Sequence, residues 1–174
     1  NQLTDKGWNL YNEGASDIDI TAMTIQGLAP YYHKDPRVKS AVDQALEFLS
    51  NKQIKTGPYA GAYGGWGTEA NSNSTAMVIV ALNSLGMDSD TDPRFVKNGK
   101  SALDGLLSFK TADNFFGYID NKNYNGMATE QSLRALMSYY PKKANAYVYP
   151  KPTKTFDGVA LPTALSFIVK PKSN

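Results

Sequence analysis

Cysteine is absent from this chain, and histidine occurs once, as His33. The first absence excludes disulfides, thiolate nucleophiles, Cys-ligated zinc and iron–sulfur clusters. The second leaves a single imidazole, in the loop YYHKDPR, where a solvated side chain is expected. A surplus of one charge is also missing. Lys and Arg number 18 against 16 Asp and Glu, a net of +2 spread along the chain, so no electrostatic footprint for nucleic acid is present. No apolar run approaches the roughly 20 residues that cross a bilayer, and NQLTDKGWNL has neither the basic start nor the apolar core of a signal peptide. A soluble chain is expected, as a mature product or an excised piece. Its 174 residues, 41% hydrophobic and 20% charged, suit one ordinary globular domain that buries about two-thirds of its extended surface.

What the sequence does contain is a repeat. TAMTIQGL, TAMVIVAL and TEQSLRAL begin at Thr21, Thr75 and Thr129, at a spacing of 54 residues. DPRV (35–38) with ALEFL (45–49) and DPRF (92–95) with ALDGL (102–106) recur at an offset of 57. A glycine and an aromatic residue precede each Thr, in KGW (6–8), GGW (64–66) and FGY (116–118). The unit is therefore a Gly-aromatic turn, an Asn/Asp-rich lead-in, a helix, a Pro-containing loop and a second helix.

The two helix types differ in pattern. Residues 75–82 are apolar almost all round, as an inner helix buried on several sides requires. In 38–52, Val38, Ala41, Val42, Ala45, Leu46 and Leu49 recur at helical spacing beside Lys39, Asp43, Glu47 and Lys52, which marks an outer helix with one wet face. Five helices are expected, near 20–31, 36–52, 74–86, 93–110 and 126–140. Asp19, Asn73 and Asn125 or Met127 stand where caps would, and Pro36 and Pro93 where outer helices would begin. The all-α segment of αα-hairpin repeats covers 1–140. The Pro-rich tail 141–174 reads as extended or partly β, packed on the domain or on a partner.

The motifs DIDITAMTIQGLAPYY, NSNSTAMVIVALNSLG, FVKNGKSALDGLLSFK and NGMATEQSLRALMSYY span about residues 17–140. They resemble the repeat of the terpenoid cyclase and prenyltransferase superfamily, most of all the prenyltransferase-like domains of Gram-positive cell-surface proteins. The resemblance implies an α/α toroid, with inner helices around a central cavity, and an extracellular place, at the cell surface or secreted. It also implies an incomplete ring, because two hairpins and a lone inner helix leave edges open. Another protein chain, a missing neighbouring segment or a homo-oligomer would cover them.

The same resemblance offers chemistry to weigh. Class II terpene cyclases protonate their substrate with the middle Asp of DxDD, commonly followed by Thr-Ala. Asp17-Ile18-Asp19-Ile20-Thr21-Ala22 matches except at Ile20, so Asp19 would be the general acid, with Asp17 beside it, if an apolar site or a like charge raised its pKa. Asn71 and Asn73 fill those places in the second copy, which favours a capping role. Zinc prenyltransferases need a cysteine, as do thioester domains, so both chemistries are excluded. Cobalamin carriers share the toroid, but no residue here marks a corrinoid contact.

Three further clusters are candidates. Asp88, Asp90 and Asp92 alternate like the first ligands of a calcium loop, although Pro93 stands where an EF-hand has Gly and Gly99 where it has Glu. No cofactor is expected otherwise. Tyr59, Tyr63 and Trp66 in PYAGAYGGWG could offer flat faces to a ligand, against a packing role as the plug between hairpins. Glu130 and Arg134 lie one helical turn apart, spaced for an ion pair or a site. The expected function is a non-catalytic binding or assembly module. A cyclase using Asp19 and a small-ligand carrier are the alternatives.

Overall fold

The computed structural model describes residues 1–65, 69–139, 154–156 and 159–161. Those residues form a mostly helical domain with five α-helices and a few very short strands: α1 (Ile18–Leu28), α2 (Pro36–Lys52), α3 (Ser72–Ser84), α4 (Ala102–Leu107) and α5 (Gly126–Tyr139). Helix α3 packs against α1 on one side, α5 on the other and α4 behind, while α2 packs against α1. Helices α1, α3 and α5, expected as the inner helices, lie in a row with α3 between the other two. No helix among the described residues is long and apolar enough to cross a membrane.

The inner helices begin at residues 18, 72 and 126, so the repeat is a repeat of structure as well as of letters. Each start is capped in the same way. Asp17 Oδ1 accepts the Ile20 N–H at 2.8 Å, Asn71 Oδ1 accepts the Ser74 N–H at 2.8 Å, and Asn125 Oδ1 accepts the Ala128 N–H at 2.9 Å. Each bond satisfies a donor that the first turn of a helix would leave unpaired. The caps are thus Asp17, Asn71 and Asn125, two residues before the expected Asp19 and Asn73. Asp19 lies in the first turn of α1 and does not cap it.

The repeated threonine has a definite task. Thr21 Oγ1 accepts the Trp8 N–H at 2.9 Å, Thr75 Oγ1 accepts the Tyr63 N–H at 3.0 Å, and Thr129 Oγ1 accepts the Phe116 N–H at 3.0 Å. The same aromatic residue pairs through its backbone with the capping position: Trp8 with Asp17, Tyr63 with Asn71, and the Phe116 carbonyl with the Asn125 N–H. Each inner helix thereby clamps both ends of the loop that leads into it. The equivalent aromatics are Trp8, Tyr63 and Phe116, which shifts the expected register away from Trp66 and Tyr118.

Helix α3 is the most enclosed element. Thr75, Ala76 and Val78 to Leu82 are all buried, and Val42, Leu46, Leu49, Phe95, Leu106, Phe109 and Phe116 join the same core. At about 1.5–3 kcal/mol for each large aliphatic side chain withdrawn from water, this seam dominates the stability. The buried positions of α5 are Ala128, Ser132, Ala135 and Ser138, all small, so its backbone lies close to α3. Near the C-terminal ends of the two helices, the side chains of Asn83 and Ser138 meet at 2.9 Å.

The expected helix over 93–110 is not continuous. Asp92-Pro93-Arg94 repeats the local structure of Asp35-Pro36-Arg37, in which the Asp accepts the backbone N–H two residues on and pairs with the Arg side chain. The chain then makes one tight 3₁₀ turn, Pro93–Phe95, where the earlier copy runs on as α2. Strands β3 (Val96–Lys97) and β4 (Lys100–Ser101) follow, joined by Asn98 and Gly99 at φ 51° and 74°. Two left-handed residues, Asn then Gly, close a two-residue hairpin that no helix can accommodate. Ser101 and Asp104 then form a capping box that restarts the chain as α4. Strands β1 (Tyr63–Gly64) and β2 (Ala70–Asn71) pair antiparallel, as do β5 (Lys154–Phe156) and β6 (Val159–Leu161) within the expected partly β tail. The packing of that tail lies outside the described residues.

Candidate functional site

The three inner helices run side by side in the same direction, so their lead-in loops gather at one end of the row. Asp19 sits there, at the junction of α1 and α3. Its carboxyl is half-buried, with Ser74 from the first turn of α3 alongside and Gly65 before it. A Cβ on Gly65 would stand 2.3 Å from Ser74 Oγ and 3.1 Å from Asp19 Oδ2, so only glycine leaves the carboxyl its space. Burial raises the Asp19 pKa, the Ser74 hydroxyl opposes that, and the Asp17 charge adds to the rise. Asp19 Oδ1 is buried without a hydrogen-bond partner. The arrangement can hold a proton on Asp19 more tightly than a free carboxylate does. At the matching places, α3 has Asn73 and α5 has Met127, so this acid occurs in one copy alone.

The other expected residues separate. Tyr63 is wholly buried, its hydroxyl has no partner, and desolvation raises its pKa well above the ordinary tyrosine value. Tyr59 stacks on Phe109 with centroids 4.6 Å apart and rings 4° from parallel. The Tyr63 ring is thus enclosed in the core, while Tyr59 is partly buried with one face against Phe109. Trp66 lies outside the described residues. Glu130 and Arg134 form the i,i+4 ion pair that their spacing suggests.

The aspartates of the 88–92 loop are drawn to different partners. Asp88 Oδ1 accepts the Asp90 N–H, Asp90 Oδ1 accepts the Ser101 hydroxyl at 2.8 Å, and Asp92 is held by Arg94. Among the described residues, no group of three or more acidic or histidine side chains is gathered for a metal. Asp90 ties the loop to the β3–β4 hairpin, Asp88 folds the loop on itself, and Asp92 caps the 3₁₀ turn. An open recess of about 480 Å³ lies along α2, lined by Gln2, Pro36, Arg37, Ser40, Ala41 and Gln44. Arg37 there is already paired with Asp35, and none of the expected site residues reaches it.

Two apolar surfaces are exposed, the first where the sequence left an open edge and the second not expected from it. Along α5, Met127, Leu133 and Met137 are exposed on the side that carries Glu130 and Arg134, and Met137 is 73% exposed. In the loop before α5, Phe115, Tyr118, Ile119 and Tyr124 are exposed as well. The sequence carries a signal for the loop, since FFGYIDNKNY concentrates aromatics among amides and charges.

No protein-family model matches this chain, and no curated protein and no solved structure is similar to it at a significant level.

Proposed function

We propose that this chain is a non-catalytic binding or assembly module, a partial α/α toroid from a Gram-positive surface or secreted protein, whose inner row is continued by another chain, a neighbouring segment or a second copy. The observation that carries this reading is the contrast between α3 and α5. Helix α3 is enclosed by α1 and α5, whereas α5 leaves Met127, Leu133 and Met137 in water along one side. An apolar stripe at the end of a row of equivalent helices is where the next element would pack. The resemblance of the repeat motifs to prenyltransferase-like domains of Gram-positive surface proteins supports the toroid and the location. Light scattering across a concentration series tests it. Self-association is expected, lost in Leu133→Glu/Met137→Glu with helical circular dichroism retained. A chain that stays strictly monomeric and stable contradicts the open-edge argument.

A second reading rests on Asp19, whose raised pKa and unpartnered oxygen suit a general acid of the terpene cyclase kind. Titration of Asp19 followed by carboxyl-carbon NMR, with a cyclase assay of Asp19→Asn, decides it. An unshifted carboxyl and turnover that survives the substitution would end that reading.

A further inference from the structure

We infer that the loop between α4 and α5 is a carbohydrate-binding platform, with Tyr118 and Tyr124 stacking on sugar rings and the neighbouring amides binding hydroxyls. This goes beyond the assembly role of the α5 face and does not depend on it. Phe115, Tyr118 and Tyr124 are 47%, 45% and 64% exposed, three rings in ten residues on a surface where aromatics are usually withdrawn from water.

The loop that displays these rings is rigidly held. Thr129 and Asn125 clamp Phe116 at its base, the Gly117 N–H donates to the Phe109 carbonyl at 3.0 Å, and the Tyr118 carbonyl accepts the Ser72 N–H at 2.9 Å. Asp120 accepts three further hydrogen bonds, from the Lys122 and Asn123 N–H groups and from Asn123 Nδ2, which fold the tip. A Cβ on Gly117 would come within 2.0 Å of the Asp120 carbonyl oxygen, so the loop is closed tightly on itself. Phe115 and Tyr124 brace each other edge to face at 5.1 Å. Exposed rings on a preformed loop lose little conformational entropy on binding.

The composition between the rings selects the partner. Asn114 and Asn121 are exposed residues whose amides both donate and accept, and Asn123, also exposed, keeps its amide oxygen and one N–H beyond the bond to Asp120. Asp113 and Asp120 balance Lys110 and Lys122, so the loop has no cationic surplus for an anionic membrane or nucleic acid. The centre of a protein interface is depleted of such charges. A neutral, polyhydroxylated chain suits the pattern best, because its C–H faces meet the rings while its hydroxyls meet the amides.

The experiment is a pair of NMR titrations, with cellohexaose and with the β-1,4-linked hexamer of N-acetylglucosamine, observed on the intact chain. Saturable shifts confined to residues 113–124 are expected with at least one of them. Tyr118→Ala and Tyr124→Ala should each weaken binding by about tenfold, the worth of one stacked ring, and Tyr124→Phe should retain it. Tyr11→Ala, an exposed aromatic of the first lead-in loop, should bind as wild type. Absence of shifts with both sugars, or wild-type binding by the two alanine variants, overturns the assignment. Loss of sugar binding in Leu133→Glu/Met137→Glu also overturns it, by placing the rings inside the α5 interface.

Discussion

Replacing Thr75 with valine removes one oxygen and nearly nothing else. The two side chains share shape and volume, so no cavity opens, and Thr75 is fully buried, so water cannot take the place of the hydroxyl. That hydroxyl accepts the Tyr63 N–H at 3.0 Å and donates to the Asn71 carbonyl at 2.7 Å. Stranding a buried N–H costs about 1–3 kcal/mol and losing the donated bond about 0.5–1.5 kcal/mol, so Thr75→Val should destabilise by about 2–4 kcal/mol. Thr75→Ser keeps the oxygen and loses one buried methyl, for about 1 kcal/mol. Thr129→Val should fall below Thr75→Val, because Thr129 is only half-buried whereas Thr75 is fully enclosed. Equilibrium urea denaturation, followed by circular dichroism and by tyrosine fluorescence, measures all three. A valine variant more stable than the serine variant would refute the clamp, since it would mean that the methyl matters and the hydroxyl does not.

Gly105→Ala should prevent native packing of α4, at a cost above about 3 kcal/mol. Its Cβ would lie 2.2 Å from the Ala62 nitrogen and 2.4 Å from the Gly61 carbonyl carbon, both backbone atoms that no side-chain rotation can move; a lowered melting temperature by calorimetry checks it. Asp19 and Asp35 should respond to pH in opposite senses. The folded state raises the Asp19 pKa above 3.8, so its contribution is fully present below that value and is lost as pH rises through the folded pKa. Asp19→Asn should therefore gain stability over wild type at pH 7, and the two should converge near pH 3.5 in parallel urea titrations. Arg37 holds the partly exposed Asp35 at about 2, so its contribution is present above the ordinary carboxylate range and is lost as pH falls towards 2. Asp35→Asn should differ least from wild type in the most acidic of those titrations.

The repeat made much of this fold legible. Thr21, Thr75 and Thr129 mark equivalent places because one hydrogen-bond geometry recurs three times, and a geometry tied to a residue type leaves a periodic trace. The caps were harder to place. Asp17 and Asp19 are both acids just ahead of a helical pattern, and only the backbone decides which one sits outside the first turn. The outer helix at 93–110 misled for a different reason. Apolar spacing in FVKNGKSALDGLL satisfies a helix, yet Asn98-Gly99 supplies two left-handed residues at no steric cost, and that local preference won. Tyr59 and Tyr63 show the limit for site prediction, since a flat ring that packs and a flat ring that binds are written with the same letter.

Comparison among the copies separates what holds the fold from what could serve a ligand. The clamp fixes both ends of each lead-in loop: 9–16 between Trp8 and Asp17, 64–70 between Tyr63 and Asn71, and 117–124 between Phe116 and Asn125. With the ends held, the residues between them can change without unseating the helices. The first loop is followed by Asp19, whose pKa burial raises, and the third displays Tyr118 and Tyr124. Asp19 has Asn73 and Met127 at its matching places, and although the first loop also exposes an aromatic, Tyr11, the pair braced edge to face, Phe115 on Tyr124, is found among the described residues only beside the third; neither feature is required by capping, clamping or the core. A feature present in one copy, costly to expose or to bury, and unnecessary for the repeat is where a binding or catalytic role would be written. On that criterion the end of the row that carries the lead-in loops would hold the binding role we infer, and the α5 face the assembly role we propose.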